Sequence, residues 1–188
     1  MRIAIFEVCR SPEVAKLNTE GQVLRAGLQA AGVAHVLRSN DHCWRGVQGV
    51  RPWAGPAAIY SAAHGQRFDA IHFATHGTEE GLVLSWNGPL GARVPRTVLT
   101  PALVRERLRL RGQLVVSGAC QSAHMADDFL AAGASAVVAP TVEVPWANLG
   151  AFFLAFYRGL AAGRTPRGAT NAAKQPYPEL ASYRCYTA

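Results

Sequence analysis

The sequence predicts an α/β domain in which a mostly parallel sheet is covered by helices on both faces. Three observations carry that prediction. Short apolar segments rich in β-branched residues alternate with helical patterns along the whole chain, and they lack the polar alternation of a sheet with one wet face. The chain is 188 residues long, 49% hydrophobic and only 16% charged, which suits one domain, residues 1–188, with one substantial core and argues against global disorder. The residues best able to do chemistry, His76 and Cys120, fall where predicted strands end, the place at which parallel sheets gather reacting groups.

Arg2 to Val8 is a buried strand that stops at the polar Cys9-Arg10-Ser11-Pro12 loop. Asn18 or Thr19 caps a helix carrying Val23, Leu24, Leu28 and Ala31 on one face, and Gly32 closes it. Val33 to Leu37 is the second strand. Ser39 to Pro56, rich in Pro, Gly and Trp, is an irregular excursion, after which Ala57 to His64 forms a helix. Asp69 to Thr75 is the third strand and ends in His76-Gly77. A hairpin follows, its first strand Gly81 to Trp86 turning at Asn87-Gly88 and returning toward Val98, and Thr100-Pro101 opens the next helix. Gln113 to Ser117 is the fourth main strand, leading into Gly118-Ala119-Cys120, a helix over Met125 to Ala132, and a fifth strand, Ser135 to Ala139. Trp146 to Leu160 is a long apolar helix, and residues 174–188, rich in Tyr and Pro, form a docking or flexible tail.

The net charge of +7 invites a nucleic-acid reading, but all the basic residues except Lys16 and Lys174 are Arg, a pattern of codon bias more than of phosphate binding. Arg93, Arg96, Arg105, Arg107, Arg109 and Arg111, opposed only by Glu106, make the densest basic segment; it reads first as a solvated helix face and second as a docking face for an acidic partner. No apolar run reaches the roughly 18 residues of a membrane span, and Met1 to Val8 has no signal-peptide pattern, so the expectation is a cytoplasmic protein without a membrane partner. Cys9, Cys43, Cys120 and Cys185 are too widely spaced for a zinc knuckle or a redox pair, so neither a metal nor another cofactor is expected.

Thiol acyl transfer needs a thiolate, an imidazole to take and return a proton, and backbone donors for the oxyanion. Cys120 sits at a sharp strand-to-helix junction, Ser117-Gly-Ala-Cys-Gln-Ser122, where small neighbours permit close approach and the positive end of the next helix favours a thiolate. His76 ends another strand, and the unobstructed Gly77 amide together with that of Cys120 are the oxyanion-hole candidates. His72, four residues earlier on the same strand, reads as a satisfied interior histidine. Cys9 reads as an inert thiol, and the Asp41-His42-Cys43-Trp44 cluster lacks a comparable elbow.

The segment Ile71-His-Phe-Ala-Thr-His-Gly77, followed by Val115-Val-Ser-Gly-Ala-Cys-Gln-Ser122, resembles the caspase-like fold of clan CD cysteine peptidases, in particular their bacterial CHAT branch. The resemblance continues through Leu130 to Val138 and Phe152 to Gly163, covering roughly Phe68 to Ala173. Histidine precedes cysteine, whereas papain-like enzymes and glutaminase elbows place the cysteine first. The resemblance implies a three-layer αβα sandwich in which Cys120 is the nucleophile, His76 the general base and acid, and a thioester the intermediate. It further implies a protein or peptide substrate, with a separate sensor or effector protein as partner, for instance a pore-forming protein activated in antiphage defence or programmed cell death. The loop between Asn87 and Pro101, carrying Arg93 and Arg96, is where related enzymes are processed.

One departure matters for specificity. Metacaspases carry an Asp two residues before the nucleophile that helps select a basic residue, and that position here is Gly118. The acidic candidates for a substrate pocket are then Glu143, preferred, and Asp127 or Asp128, with Trp146 as a subsite wall; Arg10 is a candidate for the opposite, acid-selecting pocket. Two rival functions stay open: a catalytically silent scaffold that docks partners through the Arg-rich segment, and a nucleic-acid surface on the same segment.

Overall fold

The computed structural model describes residues 1–8, 20–39, 50–52, 56–65, 67–85 and 97–188. Its main sheet contains β1 (Arg2–Glu7), β2 (Ala34–Ser39), β3 (Val50–Pro52), β4 (Ala70–Ala74), β8 (Leu114–Ser117), β9 (Ala136–Pro140) and β10 (Tyr183–Tyr186). A second sheet of three short strands holds β5 (Gly77–Thr78), β6 (Gly81–Ser85) and β7 (Thr97–Leu99). The helices are α1 (Glu20–Ala30), α2 (Pro56–His64), α3 (Pro101–Arg107), α4 (Ala126–Ala131), α5 (Leu149–Ala161) and α6 (Pro166–Lys174).

The main sheet runs in the order β10-β9-β8-β4-β1-β2-β3. All its pairings are parallel except β10 against β9. Strand order reverses between β1 and β4, so the ends of β1, β4 and β8 converge on one edge of the domain.

Alternation along the strands divides the core into two layers. Ala4, Phe6, Ile71, Phe73, Val115 and Val137 face α2, α3 and α4, meeting Ile59, Val104 and Phe129. Ile3, Ile5, Ala70, Leu114, Val116 and Val138 face α1, α5 and α6, meeting Leu24, Leu28, Phe153 and Ala169. The observed architecture is therefore the three-layer sandwich the sequence predicts, and its strands read as unbroken apolar runs because both faces are dry. Each fully buried Ile or Phe contributes about 1.5–3 kcal/mol of transfer free energy.

Local signals set several boundaries. Thr100 accepts a hydrogen bond from the Leu103 amide ahead of Pro101, and Thr165 does the same for Gly168 ahead of Pro166, two N-caps with proline in the first turn. Gly32, at φ 65°, ends α1. Two expectations need correction. Trp146 is not in the long helix, which begins three residues later at Leu149. The elbow after Cys120 enters a short 3₁₀ turn, Ser122–Met125, before α4, so no α-helix starts directly behind the thiol. The C-terminal segment folds back: Tyr183 pairs with Pro140 and Tyr186 with Val137, making β10 the sheet edge. No helix of the described residues is long and apolar enough to cross a membrane.

Candidate active site

The end of β4 is held by the small sheet. The Thr75 hydroxyl donates to the Val83 carbonyl, and the Val83 amide donates to the His76 carbonyl at 2.9 Å, so β6 clamps the peptide on both sides of the imidazole. The end of β8 is held by its own small polar residues. The Gly118 amide donates to Phe73 O at 2.8 Å, Ala119 N to the Ser117 hydroxyl at 3.2 Å, and the Ser122 hydroxyl to Ala119 O at 2.7 Å. Gln121 then takes a left-handed conformation, φ 56° and ψ 8°, the one positive-φ residue other than glycine among the described residues. Such a conformation costs free energy and persists where the surroundings impose it, as at a sharp elbow that presents one side chain.

Adjacent strands bring the two ends together. A β-carbon on Gly77 would overlap the carbonyl oxygen of Cys120 and lie 2.9 Å from its carbonyl carbon and 3.1 Å from its amide nitrogen, so these two peptides touch with nothing between them. The β9–α5 loop closes the third side. Its Val142 carbonyl accepts from the Gln121 amide at 3.1 Å, and its Val144 amide donates to Cys120 Sγ at 3.5 Å. Trp146 lies against the His76 ring, centroids 4.7 Å apart at 41°, while remaining 44% exposed. The structure thus brings the Gly77 peptide against that of Cys120 and Trp146 against His76, with Glu143 exposed on the same loop as Trp146.

The other acidic candidates stand elsewhere. Asp127 is exposed on α4, beyond the 3₁₀ turn that follows Cys120. Asp128 is buried and bound to Arg105 at 2.8 Å, a structural tie between α3 and α4. Within the Arg-rich segment Arg107 pairs with Glu106 at 2.9 Å, and Arg109 donates to Leu108 O at 2.7 Å, so these charges are partly engaged at home. Cys9, Arg10, the Asp41–Trp44 cluster, Asn87, Arg93 and Arg96 lie outside the described residues.

A network absent from the sequence expectations sits beneath the elbow. His72 points to the α5 face, is fully buried, and bonds through Nδ1 to the Tyr157 hydroxyl at 2.8 Å and through Nε2 to Glu20 Oε1 at 2.5 Å. It is the satisfied interior histidine the strand pattern implies, but one of its partners is a carboxylate. Burial, and secondarily the charge of Glu20, pushes the Tyr157 phenol well above its ordinary pKa, so it stays protonated. Glu7, buried at the end of β1, accepts from the Gly21 amide and the Ser39 hydroxyl, each at 2.8 Å, and so fixes the start of α1 and with it Glu20. Glu20 escaped the sequence reading because an acid in the first turn of a helix looks like ordinary dipole compensation.

A family model described as the CHAT domain matches residues 12–183. No curated protein matches the chain. Among solved structures, the complex of Porphyromonas gingivalis RgpB pro- and mature domains superposes with a TM-score of 0.64 at 15% identity, covering 100% of this chain and 47% of that one. The crystal structure of the Arg specific cysteine proteinase gingipain R (RGPB) superposes with a TM-score of 0.58 at 15% identity, covering 99% of this chain and 45% of that one. The chain thus spans less than half the length of these two neighbours, and the likeness establishes a caspase-like fold.

Proposed function

The chain belongs to the CHAT-domain family, and on that footing we propose that it is a caspase-like cysteine endopeptidase with Cys120 as nucleophile and His76 as general base and acid. The observation that carries this reading is the direct contact of the Gly77 and Cys120 peptides, which sets a histidine-bearing and a cysteine-bearing strand end side by side. Family membership and the gingipain-like fold support the same chemistry.

In the proposed reaction His76 takes the Cys120 proton, and the sulfur adds to the scissile carbonyl carbon. The amides of Gly77 and Cys120 receive the oxyanion. When the tetrahedral adduct collapses the C–N bond breaks, and the imidazolium returns its proton to the leaving amine, leaving a thioester. Water, deprotonated by His76, then adds to the thioester; the C–S bond breaks and the acid product leaves. Val144 orients the sulfur from both sides of its peptide, its amide donating to Cys120 Sγ and its carbonyl accepting from the thiol at 3.8 Å. Trp146 keeps the imidazole in place and walls one side of the substrate cleft, with Glu143 at the rim.

The proposed substrate is a protein, and by family analogy a separate effector, such as a pore-forming protein in antiphage defence, whose cutting is signalled by another polypeptide. The test is cleavage of a peptide library by wild type, Cys120→Ala and His76→Ala. Cutting that vanishes in Cys120→Ala and falls at least about a hundredfold in His76→Ala supports the reading. Cutting that persists in Cys120→Ala rejects it.

A further inference from the structure

We propose that Glu20 is a positioning residue of the reaction, a brace from α1 that spans the strand carrying His76 and the elbow carrying Cys120 and so fixes the two relative to each other. This role rests on the peptidase reading above and adds to it a residue that acts through the backbone of the elbow.

β4 and β8 lie side by side and parallel, with His72 opposite Val116. Alternation puts His72, Val116 and Gly118 on the face covered by α1 and α5, where Val116 is fully buried and Cys120 packs against the same layer. Beyond Val116 that face has a gap, because Gly118 offers no side chain. The carboxylate of Glu20 fills it: from the point where a β-carbon on Gly118 would stand, Glu20 Oε1 is 2.7 Å and Cδ 2.9 Å away, with Oε2 nearer still.

The same carboxylate is tied to β4. His72 Nε2–H donates to Glu20 Oε1 at 2.5 Å, and the Tyr157 hydroxyl holds the other ring nitrogen at 2.8 Å. His72 stands four residues before His76, so one end of the brace bears on the strand of the base and the other on the elbow of the nucleophile. The root of the side chain is fixed as well. Glu7, at the end of β1, accepts from the Gly21 amide at 2.8 Å and lies so close that a β-carbon on Gly21 would run into it. The elbow is thus stopped at two points, at Cys120 by the Gly77 peptide and at Gly118 by Glu20.

The brace works by shape and by its hydrogen bond. A negative charge does not favour a neighbouring thiolate, so charge is not the reason for an acid here. The Glu20 side chain is only 12% exposed, and its loss leaves a void at Gly118 and the N–H of a fully buried imidazole unmet. Gly118→Ala does the opposite and drives a β-carbon into the carboxylate, which can retreat only by giving up His72. Gly118 is not among the positive-φ glycines, so its backbone accepts alanine and the conflict lies with Glu20 alone.

The experiment is a double-mutant cycle on Glu20 and Gly118, read as the rate at which iodoacetamide alkylates Cys120, with the modified residue mapped by mass spectrometry. So small a reagent needs no peptide-binding subsite, and substrate affinity does not enter. Glu20→Ala and Gly118→Ala should each slow alkylation at least about tenfold, since a shift of about 1 Å at a reacting centre costs on the order of a hundredfold. The double variant, whose alanine methyl takes the space the carboxylate leaves, should be at least about threefold faster than Gly118→Ala. Glu20→Gln keeps the shape, still accepts from His72, and should stay within about threefold of wild type. With a peptide substrate the Glu20→Ala loss should fall on kcat and leave KM unchanged. Either single alanine variant within about threefold of wild type, or a double variant no faster than Gly118→Ala, overturns the brace while sparing the peptidase reading. A wild-type Cys120 that alkylates no faster than an unactivated thiol rejects the peptidase reading instead. Hydrogen exchange over residues 118–121 then judges the brace without the chemistry: faster exchange in Glu20→Ala supports it, and unchanged exchange overturns it.

Discussion

Gly77 and Cys120 touch backbone to backbone, so closely that a β-carbon on residue 77 would overlap the Cys120 carbonyl oxygen. Neither peptide can yield without cost, because Val83 N holds His76 O at 2.9 Å and Gly118 N holds Phe73 O at 2.8 Å. Gly77→Ala must therefore spread the two strand ends. A displacement of about 1 Å at a reacting centre costs on the order of a hundredfold in rate. The expected outcome is a loss of that size in kcat/KM with the far-ultraviolet spectrum unchanged; activity within threefold of wild type would show that the contact does not position the site.

Trp146 is half in water yet lies against the His76 ring. Its removal forfeits little buried area, so Trp146→Ala should leave the melting temperature within a few degrees of wild type. Peptide cleavage should fall about tenfold or more, since the imidazole loses a neighbour and the substrate loses a wall. Steady-state kinetics alongside a thermal melt separates the two effects.

Tyr157 and Tyr183 hold their protons more firmly in the fold than in the unfolded chain, chiefly through burial and then through the charge of Glu20. Their contribution is intact below the ordinary tyrosine pKa of about 10. Above it the unfolded chain releases these protons while the folded chain keeps them, so stability falls as pH rises. The urea midpoint should be steady through pH 9 and drop beyond pH 10. Tyr157→Phe should lessen that drop and, by leaving buried His72 Nδ1 without its partner, cost about 1–3 kcal/mol at neutral pH.

Asp128 and Glu106 each pair with an arginine at under 3 Å, but only Asp128 is buried. Asp128→Ala should cost about 1 kcal/mol or a little more, discounted because Arg105 is mostly solvated, whereas Glu106→Ala should be near neutral. Denaturant melts of the two variants check the contrast. Peptide cleavage by both should track stability alone, since Asp128 ties α3 to α4 and does not reach the cleft.

What the sequence made legible was whatever local pattern decides. β1, β4, β8 and β9 appear as apolar runs because both faces of the sheet are covered, and His76 and Cys120 stand out because each ends such a run. Trp146 reads as helical in the sequence because residues 146–160 are mostly apolar. Two contacts that no local pattern shows, Gln121 N to Val142 O and Val144 N to Cys120 Sγ, keep the approach to α5 extended across the elbow. Residues 174–188 read in the sequence as a docking or flexible tail and not as a strand, since Tyr-Arg-Cys-Tyr becomes β10 only by pairing with distant β9. Glu20 was invisible for the same reason: its partners Gly118, His72 and Tyr157 come from three other elements, and only the folded sheet brings them to it.

The central claim, that Cys120 is a nucleophile activated by His76, is tested most directly by an electrophilic peptide probe with the modified residue mapped by mass spectrometry. In wild type the label should fall on Cys120. It should vanish in Cys120→Ala, slow by at least about a hundredfold in His76→Ala, and be unchanged in Cys9→Ala. Labelling that survives the loss of Cys120 but disappears with Cys9, or that is indifferent to His76, would contradict it.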